Sequence, residues 1–224
     1  MSGLKFYTID TETSGLSAGY AEITEISIIR EEDRVQLFRK VKCEYPERAS
    51  LEALKITNKT MADLLQGDDK RKVVEDCNRF FEQDGLTRAH RCIVAHNFSF
   101  DKKFCHALWE SVGMEFPADL WLCTMAMTRV HVKNTGIDIE NKKNGLKKQG
   151  VNLQASLDFL GVKKVAGLHN ARDDGKNAYL LKKALIETAN IDHLSLMQTH
   201  VHTIASNKSP SDYTDEDFEA AFAE

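Results

Sequence analysis

Proline is scarce, three residues in 224, and glycine numbers only twelve. That excludes collagen-like, proline-rich and low-complexity chains. Apolar runs are short too, and none approaches the ~18 residues a membrane-spanning helix needs. No segment repeats at the periods of about 20–50 residues that mark solenoids. Cysteine occurs five times (Cys43, Cys77, Cys92, Cys105, Cys123) but never as a CxxC pair. An odd, scattered set reads as free thiols in a reducing intracellular compartment, cytoplasm or nucleus, rather than as a disulfide frame or a zinc site. A cleavable leader is not expected, because Met1-Ser2-Gly3-Leu4-Lys5 runs straight into a strand-like segment.

What is present is the mixture of a globular chain, 42% hydrophobic and 29% charged. At roughly 150 residues per domain it makes one large domain, or one domain with appendages. Such a chain buries about 70–75% of its unfolded surface and needs no staple to fold. The net charge of −4 is unevenly spread. Residues 211–224 hold Asp212, Asp215, Glu216, Asp217, Glu219 and Glu224 and no base. Without those six, 28 acids face 30 bases over residues 1–210, a net of +2. The chain therefore divides into a near-neutral body, residues 1–205, and an acidic tail, 206–224.

Along the body, strands are expected at 4–9, around Ile23–Ile29, at Val35–Val41, at Cys92–Ala95 and at Leu120–Cys123, from β-branched and aromatic enrichment or alternation. Ser50 and Thr60 are candidate caps for short helices at 51–55 and 61–66. Helical spacing marks 73–81, 104–112, about 124–132, 153–160, 171–189 and about 192–204. Residues 133–150, with Lys133, Lys142, Lys143, Lys147 and Lys148, read as a long basic surface loop that either tracks phosphates or is simply solvated. Three early strands on short connections suggest an antiparallel meander, and later strands alternate with helices. The expected class is α/β with a mixed five-stranded sheet.

Chemistry is concentrated in three segments. Asp10 and Glu12, two residues apart at the end of an apolar strand, present two carboxylates to one face. Like charges that close raise each other's pKa unless a cation neutralises them, and hard divalent ions with oxygen ligands suit such a pair. The spacing alone is unspecific, since Asp138/Glu140 and Asp215/Asp217 repeat it. The strand before and the Thr-Ser-Gly turn after distinguish the first pair. Asp101, in His96-Asn97-Phe-Ser-Phe100-Asp101, follows a buried strand and opens a helix, where an acid also suits the helix dipole. His96 reads as a hydrogen-bonded structural residue. In His169-Asn-Ala-Arg-Asp173-Asp174-Gly175, the carboxylate of Asp174 can join a metal cluster while His169 hangs over it from a loop. An imidazole there can take a proton from water at neutral pH. Asp173 reads as an N-terminal helix charge.

Strand-D-x-E, H-N-x-x-F-D and H-x-A-x-x-D, in that order, resemble the motifs of the DEDD-type (DnaQ-like) 3′→5′ exonucleases, in their histidine subgroup, DEDDh. The resemblance covers about residues 4–190. It implies a ribonuclease H-like fold, with three antiparallel strands, two parallel ones and flanking helices. It also implies two Mg²⁺ or Mn²⁺ ions per site: Asp10 on both, Glu12 and Asp174 on one, Asp101 reaching the other through water. His169 would then activate the attacking water, and 5′-mononucleotides would leave the 3′ end. Substrate contacts implied are Thr13, Gly15, Leu16 as an apolar wedge, Asn97 and Phe100. Phe104, at helical spacing, belongs to the core, as do Trp109 and Trp121. The Asp-Thr-Glu-Thr run resembles the DNA proofreading and exonuclease-X branch and puts DNA first. Asp173-Asp-Gly-Lys-Asn177 resembles a branch of RNA exonucleases, which keeps RNA 3′-end trimming as the alternative. A different class, an inactive nucleic-acid-binding module docked through its tail, would have no need of all four carboxylates and the histidine. In the tail, Phe218 and Phe222 stand at the i, i+4 spacing of a short partner-binding helix; a plain disordered tail is the other reading.

Overall fold

The computed structural model describes residues 3–137, 139–141, 148–149, 151–165 and 169–199. The acidic tail and, within the Lys-rich segment, residues 138, 142–147 and 150 lie outside the described residues.

Three strands, β1 (Lys5–Thr13), β2 (Ile23–Arg30) and β3 (Val35–Lys40), form the expected antiparallel meander. The strands β4 (Arg91–Ala95) and β5 (Leu120–Cys123) extend it in parallel from the other side of β1. Between them run helices α1 (Leu51–Thr57), α2 (Met61–Leu64), α3 (Lys70–Glu82) and α4 (Phe98–Ser111). Helix α5 (Thr124–Thr135) follows, then the two-residue strands β6 (Glu140–Asn141) and β7 (Lys148–Gln149), helices α6 (Leu153–Phe159) and α7 (Ala171–Glu187), and strand β8 (Gln198–Thr199). The main sheet has the order β3-β2-β1-β4-β5-β8.

Local chemistry sets the helix starts. Ser50 accepts the N–H of Ala53, and Thr60 and Asp63 form a reciprocal capping box. Asn152 and Asn170 cap α6 and α7 in the same way. Each face of the sheet carries a core. On one, Val73, Cys77 and Phe81 of α3 and Phe104, Leu108 and Trp109 of α4 cover Tyr7, Ile9, Ile26 and Ile93. On the other, Met127, Leu157, Leu181 and Leu185, from α5, α6 and α7, cover Cys92, Val94 and Leu122. Trp121 is buried as well, and all five cysteines are free thiols.

The fold departs from expectation in four places. β1 runs on to Thr13, so Asp10 and Glu12 lie within a paired strand. α5 continues three residues beyond 132, until Gly136 at φ 66 closes it. The segment after it is more than a loop, because β6 and β7 pair, and Ile139 and Val151 bury against Val132. Finally, of the helix expected at about 192–204, residues 192–199 are not α-helical, and 200–204 lie outside the described residues. A single 3-10 turn at Leu194–Leu196, whose Leu194 and Ser195 amides bond to Asp192, leads into β8 on the free edge of β5. Among the described residues, no helix is long and apolar enough to cross a membrane.

Candidate active site

Alternation along β1 aims Asp10 and Glu12 at α7 and Thr11 at α4. In the ladder Asp10 lies opposite Ser27 and Glu12 opposite Glu25, and the register shifts between Glu12 and Thr13. Helix α7 crosses this face closely because residue 175 is glycine. A Cβ there would meet Ser27 Oγ at 3.0 Å and Asp10 Cβ at 3.6 Å. The helix start is fixed from the sheet side. Gln36 Nε2 donates to both Ser27 Oγ (2.8 Å) and the Arg172 carbonyl (2.7 Å). Lys182, two turns on from Gly175, is buried against Glu31 at 2.6 Å and fastens the same helix further along.

Asp174, in the first turn of α7, is thereby brought to the strand pair. Carboxylate oxygens of Asp10, Glu12 and Asp174 all lie within 4.8 Å of one another, and all three residues are part-buried. Asp174 is oriented by the His169 N–H (2.9 Å) and by Asn177 Nδ2 (3.5 Å). His169 is exposed, with its backbone in the left-handed region at φ 64. A non-glycine residue stays there only when its surroundings hold it, and its bond to Asp174 does so. Asp101, 4% exposed in the first turn of α4, stands outside the three-carboxylate group. Its Oδ1 accepts from both Thr11 N (3.0 Å) and Thr11 Oγ1 (2.8 Å), which ties α4 to the strand carrying the other acids.

The electrostatics are those of anions crowded out of water. Burial pushes the Asp10 carboxyl well above its usual range, and Asp101, Glu12, Asp174 and Glu25 push it further. Burial raises Glu12 to about 7 against the pull of the Lys59 ammonium. Asp101 also rises to about 7 through burial, opposed by its bonds from Thr11. Asp174 is raised by burial too. Four carboxyl groups shifted one way, around a cluster of oxygen donors only, is the donor set of a hard divalent ion.

A family model described as Exonuclease matches residues 8–182. The chain belongs to this exonuclease family. Among curated proteins, the PolC-type DNA polymerase III of Listeria monocytogenes is 30% identical over 146 residues, 62% of this chain but 9% of the polymerase. The corresponding Listeria welshimeri protein matches at 30% over the same share. Among solved structures, E. coli exonuclease I in complex with a dT13 oligonucleotide superposes with a TM-score of 0.68 at 14% identity, covering 84% of this chain and 42% of that one. Cell-death related nuclease 4 gives 0.63 at 12%, covering 81% and 63%. These structural likenesses carry the fold, the ribonuclease H-like mixed sheet with its flanking helices. The chain spans about a tenth of these curated relatives and less than two thirds of these solved chains.

The remaining expected residues lie at the end of β1 and on the loop after it, at the start of α4 and at the start of α7. Thr13 is buried and donates to the Gly15 carbonyl at 2.7 Å, shaping the turn. A side chain at Gly15 would crowd Ala21, at 3.1 Å. Leu16 is 76% exposed on the same loop. Asn97, exposed at φ 65, begins α4 without a side-chain cap, and Phe100 lies part-buried with its ring 4.8 Å from that of Phe104 in the core. His96 bonds through Nδ1 to Thr124 Oγ1 (2.9 Å) and through Nε2 to the Val151 carbonyl (2.8 Å), and burial pushes it down to about 4. It is a neutral brace between the base of the 133–150 segment and β4. Asp173 bonds within its own helix turn and pairs with Lys176, as an N-terminal charge does. Sequence reasoning missed Thr11, Glu25 and Lys59. Glu25 left one trace, as the one charged residue in the isoleucine-rich Ile23–Ile29 run.

Proposed function

We propose that this protein is a divalent-metal-dependent 3′→5′ exonuclease that releases 5′-mononucleotides from nucleic-acid ends, with DNA as its first substrate and RNA 3′ ends as the alternative. The convergence of Asp10, Glu12 and Asp174 within 4.8 Å carries the reading. These residues fit Mg²⁺ or Mn²⁺, because a cation offsets the burial that raises all four carboxyls and the mutual repulsion added at Asp10 and Glu12. Asp101, held beside Asp10 by Thr11, completes the set. When bound, such ions supply charge stabilisation at the phosphate and acidify water.

The chain's own groups do the rest. His169, tethered by its backbone to Asp174, takes the proton from a water whose oxygen attacks phosphorus. The P–O3′ bond breaks, its electron pair leaves with the 3′ oxygen of the shortened strand, and the mononucleotide departs with its 5′-phosphate. In this reading Leu16, exposed on the loop after β1, meets the terminal base, and Phe100, in the first turn of α4, stacks on a base. In support, the listerial polymerases match this chain, and the E. coli neighbour was solved with an oligonucleotide.

The deciding experiment incubates the purified protein with Mg²⁺ or Mn²⁺ and 5′-labelled single- and double-stranded DNA and RNA. Shortening from the 3′ end, abolished by EDTA, is the expected result. Cleavage of a circular substrate would overturn the exonuclease reading, because a circle offers no end. His169→Ala lowers kcat by about 10²–10⁴-fold, the usual worth of a general base.

A further inference from the structure

Glu25 is 5% exposed and faces Glu12 directly across the β1–β2 ladder. One of its oxygens holds Lys59 Nζ at 3.2 Å. The other accepts the N–H of Ala171, the first residue of α7, at 3.4 Å. Glu25 lies outside the group of carboxylates that converge for a metal. Lys59 follows α1 and is nearly buried, with 13% of its side chain exposed. Its ammonium also acts on Glu12, whose carboxyl it draws down. Two carboxylates therefore compete for one cation. A lysine ammonium is a compact charge on a flexible stem. Paired with Glu12 it would occupy the lone pairs a divalent ion needs. In the structure it is paired with Glu25, whose backbone is fixed inside the sheet and whose second oxygen is tethered to α7.

We propose that Glu25 is a positioning residue that keeps Lys59 off Glu12, leaving the Glu12 carboxylate open to a divalent ion. The inference rests on Asp10, Glu12 and Asp174 being metal ligands. The same tether makes Glu25 the link between three segments distant in sequence: the α1–α2 connection, β2 and the start of α7.

The test is calorimetric titration of the substrate-free protein with Mg²⁺ and, separately, Mn²⁺. Glu25→Gln keeps the size of the side chain and an oxygen for the Ala171 N–H but releases the ammonium. Affinity is expected to fall about tenfold, the scale of groups surrounding metal ligands. Lys59→Met alone removes the competitor and binds at least as tightly as wild type. Adding Lys59→Met to Glu25→Gln restores binding, although the double variant lacks both charges. Undiminished affinity in Glu25→Gln, or a double variant no better than Glu25→Gln, overturns the proposal. So does weaker binding by Lys59→Met, an arm that stands alone if Glu25→Gln does not fold. A wild-type protein that binds neither ion removes the metal reading and this inference with it. Binding by wild type with no loss in Glu25→Gln removes the inference alone.

Discussion

Carboxyl groups of Glu12 and Asp101 held at about 7, with Asp10 and Asp174 also raised, make the site a source of instability in the metal-free protein. The folded state keeps protons there that the unfolded chain has already released. Stability therefore falls as the pH rises through the window between the ordinary carboxylate range and about 7, and does not recover above it. In EDTA, lowering the pH from about 8 to about 6.5 should raise the melting temperature by roughly 2–4 °C for each kcal/mol recovered. Saturating Mg²⁺ should remove that dependence. A melting temperature that falls over the same range in EDTA would contradict the picture. The buried His96 works oppositely, because it stays neutral where the unfolded chain takes up a proton, but only at lower pH. Asp10→Asn takes away the charge on which the repulsion centres. It should abolish hydrolysis and yet melt above wild type in EDTA, the trade between stability and function that active sites show.

At the scale of elements, the site depends on how closely α7 approaches β1. Gly175→Ala gains up to about 1 kcal/mol of helix propensity but forces a Cβ against Ser27 and Asp10, a crowding that typically costs about 1–3 kcal/mol. Urea unfolding should show a net loss of about 0–2 kcal/mol. Mg²⁺ binding should weaken more than that loss accounts for, because Asp174 shifts with its helix; unchanged binding would mean the approach is not critical. Most elements were legible because their cause is local: aromatic and β-branched enrichment in β1, alternation in β3, caps at Ser50 and Thr60. So were Asp10, Glu12, Asp101, His169 and Asp174, each in a short motif. What was not legible is what depends on register and docking. Nothing near Lys59 in sequence says that it lands beside Glu25, which requires the β1–β2 ladder and α1 together. The 192–204 segment has apolar residues that suit a helix, but the open edge of β5 offers ladder bonds, and Gln198 and Thr199 take them. Tertiary context overrides propensity there.

Over the whole molecule, charge is divided along the chain. Residues 1–210 carry +2 and residues 211–224 carry −6. Two divalent ions in the site would move residues 1–210 to about +6, so an acidic total is no obstacle to an anionic substrate. Deleting 211–224 should leave hydrolysis standing and tighten oligonucleotide binding at low salt, an effect that fades as salt rises. A large loss of kcat on deletion would mean that the tail belongs to the catalytic body.

The four acids are also spread unevenly in time. A ribosome delivers Asp10 and Glu12 first and Asp174 about 160 residues later, roughly 8–30 s at ordinary elongation rates. Until α7 docks, its carboxylate is missing from the cluster, although the His169 N–H can already meet Asp174 within the helix start. The nascent chain, made beside messenger and ribosomal RNA, thus completes its candidate metal site only when α7 closes on the sheet.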